Sequence, residues 1–187
     1  MNNSTAQAAV PGSKTYKLVA AALMCAVIAI LSQIAIPMPS GVPVTLQTFA
    51  VALCGCVLEM RYSAAAAAVY ILLGLVGVPV FSGFSAGPGR LFGPTGGFIW
   101  GFLLFAVLCS FSVKQKNRPV RIALCLCGLM VCHICGILQF AFVSGNGILP
   151  SFLLVSAPYL IKDAASVILA MIISRRIRKI LPRINSL

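Results

Sequence analysis

Apolar runs dominate the chain, and short polar or glycine- and proline-rich breaks cut them into six stretches. The first covers residues 18–36 and stops at Pro37, Pro39 and Pro43. The second covers 44–58 and turns at Glu59-Met60-Arg61. The third, 62–76, is rich in alanine and ends at Gly77-Val78-Pro79. A glycine-rich segment, 82–97, leads into the fourth stretch, 98–113. A basic break, Lys114–Arg121, precedes the fifth, 122–143. The sixth, 148–173, is interrupted by Pro150, Pro158 and the pair Lys162-Asp163. Such runs predict an all-α membrane protein, a bundle of six transmembrane helices of about 20 residues each.

Composition supports lipid as the solvent. Of 187 residues, 60% are hydrophobic and 9% charged, and the mean hydropathy is +1.06. A soluble domain carries roughly 25% charged residues. The net charge of +12 does not indicate nucleic-acid binding, because the cations sit in short clusters between apolar runs. With the N-terminus inside, the inner segments hold Lys14, Lys17, Arg61, Lys114, Lys116, Arg118, Arg121, Arg175, Arg176, Arg178, Lys179 and Arg183; Arg90 falls outside and Lys162 inside the last helix. That bias predicts N-in/C-in topology and an even number of spans, six fitting best and four possible if two segments are re-entrant. Residues 1–16 read as a disordered cytoplasmic tail, 17–181 as the membrane domain and 182–187 as a second tail. The first apolar run is too long for a signal-peptide core and is expected to remain in the protein.

Only two carboxylates occur, Glu59 and Asp163. Counted back from Arg175 at 1.5 Å per residue, Asp163 lies about 18 Å above the inner edge. A carboxylate at such depth is costly and reads as a functional group facing the bundle interior. Tyr159 and Ser166 share its helix face, while Lys162 points about 100° away and either pairs loosely with it or lines a neighbouring wall. Arg90, alone in the outer glycine-rich loop, is either a bidentate carboxylate clamp or a solvated loop cation near lipid phosphate. Thr45, Gln47 and Thr48 open the second helix, where they either cap it or bond a polar ligand. Gln139 is a second polar group near the outer end.

Other motifs carry less. The segment 87–97, GPGRLFGPTGG, lacks the lysine of a phosphate-binding loop, so no ATP site is legible. All eight cysteines lie in apolar runs and read as small, buried, reduced residues, with no metal site expected. Cys132-His133-Ile134-Cys135 alone is a weak pointer to metal. A catalytic set is not expected: Glu59 at the inner edge, His133 in mid-span and Asp163 in the outer half should not meet. Ala22 and Ala26, with Ala29 nearby, form a small-xxx-small pattern that admits a closely packed partner.

Four motifs in order resemble the BioY family, the biotin-specific substrate-binding (S) subunits of energy-coupling-factor (ECF) transporters. They are PMP (37–39) with VPVTLQT (42–48), GLVGVPVF (74–81), GPTGGF (93–98), and Pro158-Tyr159 followed by Asp163. The resemblance implies a six-helix bundle in a bacterial cell membrane with an outward-opening biotin site. It also implies a separate transmembrane coupling subunit and two ATPase subunits that hydrolyse ATP, with no cofactor or catalysis in this chain. Ala22 and Ala26 match the family's alanine motif for the coupling subunit. The implied ligand contacts are Asp163 to the ureido N–H groups, Arg90 or Lys162 to the valerate carboxylate, and Tyr159, Phe81 and Phe92 over the ring. Thr45, Gln47, Thr95 and Gln139 complete the expected set. One departure is Ser166, where many members have lysine. An S subunit for another small vitamin, a membrane enzyme and a membrane scaffold are the alternatives.

Overall fold

A computed structural model describes residues 14–38 and 41–180. Helix α1 (Lys14–Ser32) takes Lys14, Thr15 and Tyr16 from the stretch expected to be a tail. Residues 1–13 and the expected tail 182–187 lie outside the described residues, as does Pro39. The helix buries Ala21, Cys25, Ile28 and Ser32, spaced three and four apart. Leu18, Val19, Leu23 and Ile30 stand exposed on the other side. One apolar stripe thus packs on the bundle and the other is left for lipid.

Strands β1 (Ala35–Ile36) and β2 (Val44–Thr45) pair antiparallel, Ala35 with Thr45 and Ile36 with Val44. This short ribbon turns the chain inward, so helix α2 (Gln47–Val57) begins among neighbours rather than at the surface. All of α2 but Phe49 is buried. Its 11 residues rise only about 16 Å, well short of a 30 Å hydrocarbon core. The expectation of six spans of similar length is therefore corrected. A helix wrapped on all sides by protein tolerates irregular polar backbone at its end, which lipid would not.

Helix α3 (Met60–Leu75) has 16 residues and follows at once. Lys17 of α1 reaches Glu59 at 2.7 Å and pins the start of α1 to the α2–α3 turn. After α3, the glycine-rich loop holds the one-turn helix α4 (Pro88–Leu91). Gly74 is required here, because a Cβ would fall 2.0 Å from the Phe81 ring.

Helices α5 (Gly96–Val113) and α6 (Arg118–Ser144) form the most extensive interface. Glycine makes it possible: a Cβ on Gly97 would lie 2.2 Å from the Cys135 carbonyl oxygen. The last apolar stretch splits at Ser156 into α7 (Ile148–Val155) and α8 (Ala157–Ile180). Pro158 is the second residue of α8, where no intrahelical N–H is needed. Among the described residues, four helices, α1, α5, α6 and α8, are long and apolar enough to cross a membrane, and α2 and α3 are shorter apolar helices.

Candidate ligand-binding site

At the N-terminal end of α2, the β-ribbon, the α3–α4 loop and helices α4, α5, α6, α7 and α8 enclose one cavity. It holds about 740 Å³ of space, its open mouth included. Phe98, Ile99 and Phe102 of α5 and Leu129 of α6 make an apolar wall, with Phe81 beside them. The polar lining comes from Thr45, Gln47, Thr48, His133, Lys162 and Asp163.

Asp163 is 5% exposed and anchors this polar side. Its Oδ2 lies 3.3 Å from His133 Nε2, and Thr48 bonds the same carboxyl. Oδ1 meets the Lys162 ammonium at 2.5 Å without a well-aligned hydrogen bond. That oxygen keeps acceptor capacity for a ligand N–H. Lys162 also donates to the Thr45 carbonyl at 2.9 Å. Its flexible four-carbon stem overrides the 100° offset between neighbours on a helix. An ammonium therefore stands beside Asp163 although Ser166 lacks one.

The expectation that His133 and Asp163 stay apart is corrected. Helix α7 carries the chain back along α6 before α8 begins. Ser156, at that junction, meets His133 Nδ1 at 2.8 Å. His133 lies 11 residues, about 16 Å, before the end of α6 at Ser144. The start of α8 thus sits level with His133 instead of with the end of α6, and Asp163 meets the imidazole.

Gln47 is held by donating from Nε2 to Tyr70 Oη at 2.5 Å, and Tyr70 donates to the Val80 carbonyl at 3.2 Å. Its Oε1 is the group that remains for a ligand. Tyr159 donates to the Val42 carbonyl at 2.5 Å, tying α8 to the segment before β2. Arg90 and Thr95 line the mouth and also border an adjoining hollow under Gly41, Gly89 and Gly93. Arg90 has no ion-pair partner among the described residues, since Glu59 and Asp163 are engaged with Lys17, His133 and Lys162.

The cavity thus brings together Thr45, Gln47, Arg90, Thr95, Tyr159, Lys162 and Asp163. Gln139 stands behind the wall, donating to the carbonyls of Leu91 at 2.7 Å and Gly93 at 2.8 Å; it braces the loop that carries Arg90. Phe81 lines the cavity, whereas Phe92 is exposed and packs on Trp100. A neutral Asp163–Lys162 pair deep inside and an unpaired Arg90 at the mouth suit an elongated ligand with N–H donors at one end and an anion at the other.

A model described as the BioY family matches residues 2–183. The chain belongs to the BioY family. It is 33% identical over 165 residues to "Biotin transporter BioY" of Thermotoga maritima, covering 88% of this chain and 96% of that one. It is 47% identical over 113 residues to "Biotin transporter BioY2" of Lactococcus lactis subsp. cremoris, 59% of this chain and 62% of that relative. A crystal structure at 2.1 Å, described as the S-component for biotin from an ECF-type ABC transporter, superposes with a TM-score of 0.79 at 29% identity, over 89% of this chain and 92% of that one. These BioY relatives are named as transporters, and the four long apolar helices make this a multi-pass membrane protein.

Within the BioY frame, Thr48 joins the site as one of the two roles open to it from the sequence, whereas two polar residues, His133 and Ser156, were not foreseen as supporting groups. His133 was visible as a lone histidine in an apolar helix. Ser156 carries no sequence signal, because its role depends on where α7 delivers it.

Proposed function

We infer that this chain is the biotin-binding S component of an ECF transporter and serves biotin uptake across a bacterial cell membrane. The observation that carries the reading is the opposed pair of polar ends in one cavity, Asp163 with Lys162 inside and Arg90 at the mouth. Biotin presents two ureido N–H donors, a ureido oxygen, an apolar thioether ring and a valerate carboxylate. Asp163 Oδ1 accepts from a ureido N–H in a charge-assisted bond. The Lys162 ammonium and the Thr45 hydroxyl serve the ureido oxygen, while the Thr48 hydroxyl stays on Asp163. Phe81, Phe98, Phe102 and Tyr159 cover the ring. Arg90 meets the carboxylate and neutralises the complex, and Thr95 and Gln47 complete its polar contacts.

Six membrane-embedded helices with both termini inside belong to the same reading, and the basic end of the bundle supports them. Lys17, Glu59 and Arg61 gather there, with Ser110 of α5 bonded to Leu58 at 2.8 Å and Arg178 of α8 near Arg121 of α6. Ala22 and Ala26 are exposed on α1 and supply the low-relief surface for the coupling subunit. The chain has no ATPase chemistry of its own in this reading; two partner ATPases supply the energy.

Ser156, His133 and Asp163 form a hydrogen-bonded chain like that of a hydrolase. Ser156 is fully buried and does not line the cavity, so its hydroxyl cannot reach a substrate carbonyl. The chain's role is to orient Asp163. Radiolabelled biotin uptake, with and without coexpressed coupling subunit and ATPases, tests the assignment. Uptake that needs neither this chain nor its partners would reject it.

A further inference from the structure

Away from the ligand cavity, three cysteines converge at the basic end of the bundle. Cys56 near the end of α2, Cys109 near the end of α5 and Cys125 near the start of α6 are all buried, and their sulfurs lie within 4.8 Å of one another. Cys56 Sγ and Cys125 Sγ are 4.0 Å apart although 69 residues separate them in sequence. With metal–sulfur bonds of about 2.3 Å, three sulfurs in a plane around one ion stand roughly 4.0 Å apart. The cluster therefore needs little closing to hold an ion.

Its surroundings fit an anionic metal–thiolate centre. Arg121, one turn before Cys125, lies within electrostatic reach of Cys56 and Cys125. Its Nε is buried without a hydrogen-bond partner among the described residues. Ser112 Oγ lies 3.1 Å from Cys125 Sγ, but its hydroxyl donates to the Cys109 carbonyl at 2.6 Å. It is a neutral oxygen and a poor fourth ligand.

We propose that Cys56, Cys109 and Cys125 form a three-thiolate site for a soft, thiophilic cation, with Cu(I) the best match. Structural zinc is almost always tetrahedral and would want a fourth strong donor, whereas thiolates alone select Cu(I). Binding releases the thiol protons, and Arg121 offsets part of the negative charge that results. The ion joins α2, α5 and α6 at the end of the bundle opposite the ligand cavity. This inference is independent of what fills that cavity.

The test is a titration of the purified, reduced full-length chain with Cu(I) against the chromophoric competitor bicinchoninate. The wild type should withhold roughly one equivalent. Cys109→Ser and Cys125→Ser should each release it, and Cys132→Ser should retain it. Helical circular dichroism and a thermal melt report whether each variant is folded. X-ray absorption on the wild type gives a second reading free of that concern: three sulfurs at about 2.3 Å are expected. No withheld copper, retention in both Cys109→Ser and Cys125→Ser, or a shell containing imidazole nitrogen from His133 overturns the proposal.

Discussion

Replacing Asp163 with asparagine removes one negative charge and almost no volume. In the reading above, it takes away the charge-assisted bond to a ureido N–H and replaces one carboxylate oxygen with an N–H₂ that repels that donor. A hydrogen bond to a charged group contributes about 1.5–3 kcal/mol. At about 1.4 kcal/mol per tenfold, biotin affinity should fall roughly 10- to 150-fold. The unliganded protein should suffer less. Stranding one partner of a buried ion pair costs about 3–5 kcal/mol, but the Lys162 side chain is 30% exposed and keeps its bond to the Thr45 carbonyl. The stability loss therefore falls below that range. Isothermal titration of the detergent-purified variant with biotin gives the affinity, and a thermal melt without biotin gives the fold. A folded Asp163→Asn protein that binds biotin within twofold of wild type would refute the placement of the ureido ring.

Three further outcomes follow from other parts of the molecule. Arg90→Ala should weaken biotin by about 1–2 kcal/mol while leaving an uncharged biotin amide unaffected; parallel titrations with the two ligands separate a carboxylate clamp from a merely structural loop. Gly97→Ala places a methyl 2.2 Å from the Cys135 carbonyl oxygen, so α5 and α6 must part at a cost of about 1–3 kcal/mol, read as a lower melting temperature. Ala26→Trp should leave biotin binding by the isolated chain unchanged but abolish uptake with the coupling subunit and ATPases, because the exposed α1 stripe no longer admits a close neighbour.

Much of this was legible along the chain. The stretch 98–113 becomes α5 (Gly96–Val113) and 122–143 becomes the core of α6 (Arg118–Ser144), because long uniform apolarity leaves a chain in lipid few choices besides helix. Asp163 stood out because an isolated carboxylate in an apolar run needs partners. The identity of those partners was only partly legible. Lys162 read as a loose partner at most from its helix position, but side-chain length decides its reach. His133 looked too deep, but depth is set by α7, an eight-residue helix inside a stretch whose prolines read only as interruptions. Burial of α2 likewise depends on the β-ribbon that turns the chain inward, and two-residue strands leave no periodicity to read. The Cys56–Cys109–Cys125 cluster is a tertiary coincidence of three helices and has no local motif.

This chain by itself should hold biotin between Asp163 and Arg90. Equilibrium titration of the purified wild-type chain, without any partner subunit, decides whether it does. One biotin should bind saturably per chain, with thiamine and riboflavin failing to compete. Absence of saturable biotin binding by the folded chain, or equal binding of an unrelated vitamin, would contradict it.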